Sequence, residues 1–281
     1  TSHRREYRSI TTLGEVEKND HTRVMTIQIK ASKQLQSTTT IHPTAIVAPT
    51  ASIGTGTIVH PYAVIGEHTQ IGNDCIVYPF AHIGSAPQVR AHDEGHGQLV
   101  IGDGNRFFEG CTISLGHSQA SGITRIGDHN LFMAYTHVGH DCTIGSHSTI
   151  ANHSSLAGHV RIEDHANIGG YAGIHQFVQI GCHSFIGANS MVSQDVPPFS
   201  IAAGDRARLL GLNRKGLARA QFPSETEQEI RRAFRQCFYS ITEQPPGPVT
   251  PSSWYTQFTA FLGRSQRGVL KRHSMVDTDH S

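Results

Sequence analysis

Residues 41–66 read IHPTAIVAPTASIGTGTIVHPYAVIG. Every sixth position is aliphatic: Ile41, Val47, Ile53, Val59 and Ile65. Outward from this stretch the phase continues through Ile71, Val77 and Ile83 and returns at Ile101, Phe107 and Ile113. It then slips by one residue. From Ile126 it runs through Phe132, Val138, Ile144, Ile150, Leu156, Ile162, Ile168, Ile174, Ile180 and Ile186 to Val192. Gly often follows the aliphatic residue, as at Gly54, Gly66, Gly127 and Gly187, and a small residue such as Ala45, Ala63, Ser148 or Ala166 sits four places after it. A helix repeats every 3.6 residues and a simple strand every two, so a period of six is neither. It fits a solenoid in which each hexad forms one flat side and three hexads form a coil. The aliphatic residue points inward and the small one fills the narrow corner. Coils stacked at the strand spacing of ~4.8 Å would make residues 41–196 a prism of roughly eight coils, on the order of 40 Å tall.

Composition narrows the function. The chain has 281 residues, 23 Lys and Arg against 22 Asp and Glu, and a net charge of +1. That balance argues against general nucleic-acid binding. No run of eighteen apolar residues suggests a membrane span, and the first residues lack a signal-peptide core. Five scattered cysteines, an odd number, fit a reducing compartment without a disulfide framework. Cys75, Cys111 and Cys142 fall in the small corner slot and read as packing. Among the 20 histidines, His68, His129, His147, His153, His159, His165 and His183 lie three places after an inward residue, and solvated turns are expected there.

The chain divides into three parts. Residues 1–40 are polar without a sustained period and read as a loosely ordered extension. Residues 41–196 are the solenoid, interrupted at 84–100 and 114–125 by loops of the kind that often carry function. Residues 197–281 read as a small α-helical domain. PSETEQEIRRAFRQCFYSI is a helix with Ser224 and Glu227 as a capping box. SSWYTQFTAFLGRSQRGVLKR is a second helix with a basic end, Arg264, Arg267, Lys271 and Arg272. Those cations read either as a solvated face or as a docking surface for an acidic partner.

The chemistry concentrates in AYTHVGHDCTIG, residues 134–145. With eighteen residues per coil, His140 stacks under Gly158, which stacks under Gln176, and Asp141 stacks under His159. An imidazole beside a residue without a side chain leaves a notch lined by backbone N–H groups. A neutral histidine there can take a hydroxyl proton, and a fixed N–H can stabilise the oxyanion of acyl transfer. Asp141 can hold the ring or favour its charged form. The same residues also admit a plain reading, two corner histidines with a solvated aspartate.

AYTHVGHDCTIG, LAGHV, GIHQF, SQDVPPF and FLGRSQRGVLK together resemble the UDP-N-acetylglucosamine 3-O-acyltransferases, hexapeptide-repeat enzymes that act first in lipid A synthesis. The resemblance spans about residues 41–272. It implies a left-handed parallel β-helix, with His140 as general base, Asp141 orienting it and Gly158 as oxyanion donor. It implies substrate contacts at His137, His159, His175, Gln176, Asn213 and Arg219, and an acyl-chain ruler at Ala188. It further implies an acyl carrier protein as donor, a nucleotide-sugar acceptor, a cytoplasmic homotrimer with sites between subunits, and no metal or other cofactor. Three departures bear on the acceptor. Gln88-Val89-Arg90-Ala91 stands where the family reads Gln-Asp-Leu-Lys, Ser114-Leu115-Gly116-His117 replaces His/Asn-Arg-Gly-Thr, and Ala220 replaces a second arginine. One rival is a hexapeptide acyltransferase with another nucleotide-sugar acceptor. Another is a zinc γ-type carbonic anhydrase, which needs about three converging nitrogen donors; its His-x4-His spacing is missing, since no two histidines are five apart. A third is a trimeric scaffold without catalysis.

Overall fold

The computed structural model describes residues 38–90, 97–238 and 253–271. The expected N-terminal extension lies outside the described residues except for its last three positions, as do Arg272 and the middle of the first loop.

Each hexad contributes one short strand, usually of two residues. The strands Thr143–Ile144, Thr149–Ile150 and Ser155–Leu156 follow one another on three different faces. The next, Arg161–Ile162, lies in register on the first, with Ile144 paired to Ile162. Eighteen residues therefore close one coil, and the fold is a left-handed parallel β-helix. The three faces hold ten, eight and seven strands. The last strand of the ten, Arg208–Leu212, runs antiparallel against Ser200–Ala203 and ends the solenoid.

The hexad aliphatics fill the interior. Val59, Val77, Phe107, Phe132, Ile150, Ile168 and Ile186 form one buried column, with Phe107 stacked on Phe132 at 5.0 Å between ring centroids. Each buried Val, Ile or Phe stabilises the fold by roughly 1.5–3 kcal/mol relative to exposure. Cys75, Cys111 and Cys142 are buried in the corner slots, and burial pushes the Cys142 thiol up to about 12.

The corner histidines His129, His147, His153 and His165 are exposed, as expected of solvated turns, and their rings also stack. The residue three places after the inward one has a left-handed backbone, as at His147 (φ 59°), His153 (60°), His165 (59°) and Tyr171 (59°). Non-glycine residues adopt this conformation reluctantly. Here the strain is offset by stacking, because the repeat places these side chains above one another. Rings of His129, His147, His165, His183 and Phe199 succeed each other at 4.6–5.2 Å. Tyr135, His153 and Tyr171 form a second ladder at 5.1 and 4.7 Å.

Register across the two interruptions explains the phase slip. Ile71 pairs with Ile101, thirty positions on instead of eighteen. The excess is two whole hexads, so the phase is kept. Ile101 pairs with Ile126, twenty-five on. The excess of seven is one more than a hexad, which gives the slip. Strands already begin inside both spans expected as loops, at Gln98 and at Ile123.

Three helices follow: α1 (Arg214–Ala220), α2 (Ser224–Phe238) and α3 (Ser253–Arg264). Phe199 joins them to the solenoid, its ring 5.3 Å from that of Trp254 and 6.1 Å from that of Phe258. The capping box is replaced by another arrangement. Ser224 is the first helical residue, and the Glu227 carboxylate bonds Arg231 one turn on. The second helix is also shorter than expected. It stops at Arg264, and Gly268 (φ 73°) turns the chain back onto the solenoid. There Val269 bridges Asp195 and the Ser265 hydroxyl donates to the buried Asp195 carboxylate at 2.6 Å. No helix among the described residues is long and apolar enough to cross a membrane.

Candidate active site

His140 and Asp141 occupy the bend that follows the strand His137–Val138. Asp141 takes the left-handed corner position (φ 59°), and its N–H donates to Thr124 Oγ1 at 2.9 Å. This turns its side chain back beside the ring of its neighbour. His140 Nδ1 lies 2.7 Å from Asp141 Oδ2, with the aspartate side chain 0% and the histidine side chain 15% exposed. The other donors on the carboxylate are the Ser121 hydroxyl, 2.5 Å from Oδ1, and the His117 N–H, 3.1 Å from Oδ2. Burial pushes this carboxyl up. The Ser121 and His140 hydrogen bonds, the His117 N–H and the nearby His159 more than offset it, holding the group below its ordinary value.

Gly158 lies directly over His140. A β-carbon on Gly158 would stand 2.6 Å from His140 Nε2, so the ring fills the space a side chain would need. The ladder uses the His159 N–H, which donates to the His140 carbonyl at 2.9 Å, but among the described residues the Gly158 N–H has no acceptor. One imidazole and one spare N–H therefore border the same notch. The His159 ring stands edge-on to that of His140, centroids 5.0 Å apart, with Nε2 4.0 Å from Asp141 Oδ2. Desolvation lowers the His159 pKa, as do His140 and His117, against the pull of Asp141. His140, Asp141 and His159 have ligand-type atoms within 4.8 Å of one another, the one such group of metal-capable side chains among the described residues. A ring already bonded to a carboxylate that has donors on both oxygens is arranged for moving a proton.

Two spaces lie on the two faces that meet at this corner. A mostly apolar groove of about 570 Å³ runs along the eight-stranded face, lined by His137, Leu156, Ile174, His175, Met191 and Arg206 among others. His137 Nδ1 lies 2.8 Å from Thr112 Oγ1, and desolvation lowers its pKa. His175 is exposed, with Nδ1 3.2 Å from the Gln176 carbonyl, and Gln176 is half-buried one coil above Gly158. The other space, about 680 Å³ and polar, lies between Asp141, His159 and Phe177 on one side and residues 263–266 on the other. The basic end of the chain thus borders the His140–Asp141 corner, with Arg264 paired to Glu163 at 2.7 Å.

The remaining sequence-expected residues lie apart from that corner. Asn213 caps α1, accepting from the Gly216 N–H at 2.9 Å and donating to the His183 carbonyl at 2.9 Å. With the exposed Arg219 it lines a cavity of about 420 Å³ against His147, His165 and His183, on a different edge of the prism. Ala188 is exposed at the bend after Phe185–Ile186 and does not line the apolar groove. The sequence reading missed Ser121, Thr112 and Met191. The strand pairing of His137 with Thr112 across the insertion was the one signal that could have found Thr112.

A family profile described as Udp N-acetylglucosamine O-acyltransferase, domain 2, matches residues 195–270, and one described as bacterial transferase hexapeptide matches residues 123–158. The acyl-(acyl-carrier-protein)–UDP-N-acetylglucosamine O-acyltransferase of Burkholderia mallei is 42% identical over 195 residues, covering 66% of this chain and 74% of its own length. Among solved structures, LpxA from Acinetobacter baumannii is 34% identical with a TM-score of 0.69, covering 84% of this chain and 98% of that one. UDP-N-acetylglucosamine acyltransferase from Campylobacter jejuni is 30% identical with a TM-score of 0.72, covering 83% and 100%.

Proposed function

The chain belongs to the UDP-N-acetylglucosamine O-acyltransferases, and from that premise we propose how its own residues carry the reaction. It transfers a fatty acyl group from acyl carrier protein to UDP-N-acetylglucosamine, the first step of lipid A biosynthesis. The observation that carries the assignment is the 2.7 Å bond between His140 Nδ1 and Asp141 Oδ2 beneath a bare Gly158.

Asp141 holds the proton on Nδ1, which leaves Nε2 as the basic nitrogen. Nε2 removes the proton of the sugar hydroxyl as its oxygen attacks the thioester carbonyl. The tetrahedral oxyanion accepts a hydrogen bond from the Gly158 N–H. The C–S bond then breaks, and the imidazolium returns the proton to the departing thiolate. Products are the O-acyl sugar nucleotide and the free thiol, with no net change in protons. The ion pair formed in the transition state is favoured by a buried, ionised Asp141.

The apolar groove from His137 to Arg206 suits the acyl chain. The space bordered by residues 263–266 suits the thioester arm, with the basic end of the chain attracting an acidic carrier protein. Asn213 and Arg219 would hold the nucleotide. Their position on a different edge from His140 supports a homotrimer in which neighbouring chains complete each site.

Mass spectrometry of products from acyl-carrier-protein donors and UDP-N-acetylglucosamine tests this. The expected product is the singly O-acylated nucleotide sugar. Transfer only to another nucleotide sugar would replace the acceptor and keep the chemistry; no transfer to any would remove the reading.

A further inference from the structure

The seven-residue insertion that shifts the register is folded over Asp141. Its backbone is tied down on both sides. The Leu115 N–H donates to the Ser85 carbonyl at 2.9 Å and the Gly116 N–H to that of Gln98 at 3.1 Å, while the Gln98 N–H donates to the Gly122 carbonyl at 2.8 Å. From this frame the Ser121 hydroxyl reaches Asp141 Oδ1 at 2.5 Å. The other oxygen, Oδ2, faces His140 Nδ1 at 2.7 Å and stands 4.0 Å from His159 Nε2. A buried carboxylate without the Ser121 bond could swing its oxygens between two imidazoles.

We propose that Ser121 is a positioning residue, fixing the Asp141 carboxylate so that it orients His140 and not His159. The proposal rests on the reading of His140 as base. It also explains why an insertion that differs from the family pattern leaves the His-Asp pair in place: the insertion itself supplies two of the donors on the carboxylate. The hydroxyl also helps keep the carboxyl below its ordinary value against burial.

The test compares Ser121→Ala and Ser121→Thr in the full-length protein, with thermal melting to verify folding. Ser121 is exposed, so either change is tolerated by the fold. The first readout is the carboxyl-carbon NMR titration of Asp141 without substrates. An upward shift in S121A, absent in S121T, is expected. The second is turnover. A charge-assisted hydrogen bond that orients a base is worth about tenfold, so kcat should fall about tenfold in S121A. KM should hold for both substrates, the acidic limb should move to higher pH, and S121T should restore kcat. An unchanged Asp141 titration in S121A overturns the proposal whatever the turnover. A raised KM with unchanged kcat makes Ser121 a substrate contact and overturns it too. If the titration shifts but His140→Ala retains full turnover, the clamp stands and the base assignment falls.

Discussion

The His140 ring rests on the bare backbone of Gly158, where a β-carbon would come within 2.6 Å of Nε2. No positive φ demands glycine at this position, so the requirement comes from the ring. Gly158→Ala should therefore fold normally and displace the imidazole. A misplacement of about 1 Å costs on the order of 10²-fold in rate. We expect kcat to fall by that order with the melting temperature little changed; wild-type turnover would remove the notch from the mechanism.

His140→Ala removes the base and leaves the Gly158 N–H. General bases contribute ~10²–10⁴-fold. The expected result is a loss of at least about 10²-fold in kcat, with circular dichroism and oligomeric state unchanged. Near-normal turnover would leave the His-Asp pair a structural corner.

His153 tests the ladder. It holds φ at 60° and its ring stacks between Tyr135 and Tyr171 at 5.1 and 4.7 Å. A β-branched residue is strained at this backbone and cannot stack. His153→Val should cost about 1–2 kcal/mol, His153→Tyr much less. Urea denaturation measures both; equal losses would deny the stack a role.

Stability should fall with acid. Burial, with His165 nearby, lowers the His183 pKa to about 4 from an ordinary 6.5. His137 and His159 are lowered as well, chiefly by desolvation. A depressed histidine leaves the unfolded chain binding more protons, so its contribution is present above about 6.5 and is lost as pH falls toward 4. Urea midpoints at pH 7.5 and pH 5 should drop in that order. His183→Phe keeps a ring between His165 and Phe199 and should flatten part of the difference. A midpoint that rose at pH 5 would contradict the sign.

The period of six was legible because a single slip would put polar residues inside and aliphatic ones outside. The same arithmetic stacked His140 under Gly158, where no insertion intervenes. It failed for Ser121, because seven extra residues break the eighteen-residue rule and only the folded loop shows what it touches. The ladders were hidden for another reason. Exposure was inferred for each corner histidine singly, while the stacking comes from their common spacing and backbone. After Val196 no period remains, so the places of Asn213 and Arg219, and the return of residues 265–270 to the solenoid, follow from tertiary contacts such as Ser265 with Asp195.

Acyl length should be set at the far end of the apolar groove. Met191 sits there over Gly173, its sulfur 2.8 Å from where a β-carbon on Gly173 would stand. Arg206 lines the same groove. Met191→Ala shortens an exposed side chain that lines the groove and so lengthens the space open to an acyl tail. We therefore expect M191A to accept longer donors than the wild type. Ala188 lies at the neighbouring bend, exposed in the single chain. If an adjacent chain's groove ends on it, Ala188→Met should shorten the preferred donor and Ala188→Gly should leave or lengthen it. Carrier-protein donors of graded length, assayed as kcat/KM on all three variants, separate the two positions. A shift in M191A alone places the ruler within one chain. A shift in A188M alone places it across the subunit boundary. Unchanged preference in all three would mean that the acyl tail does not end along this groove.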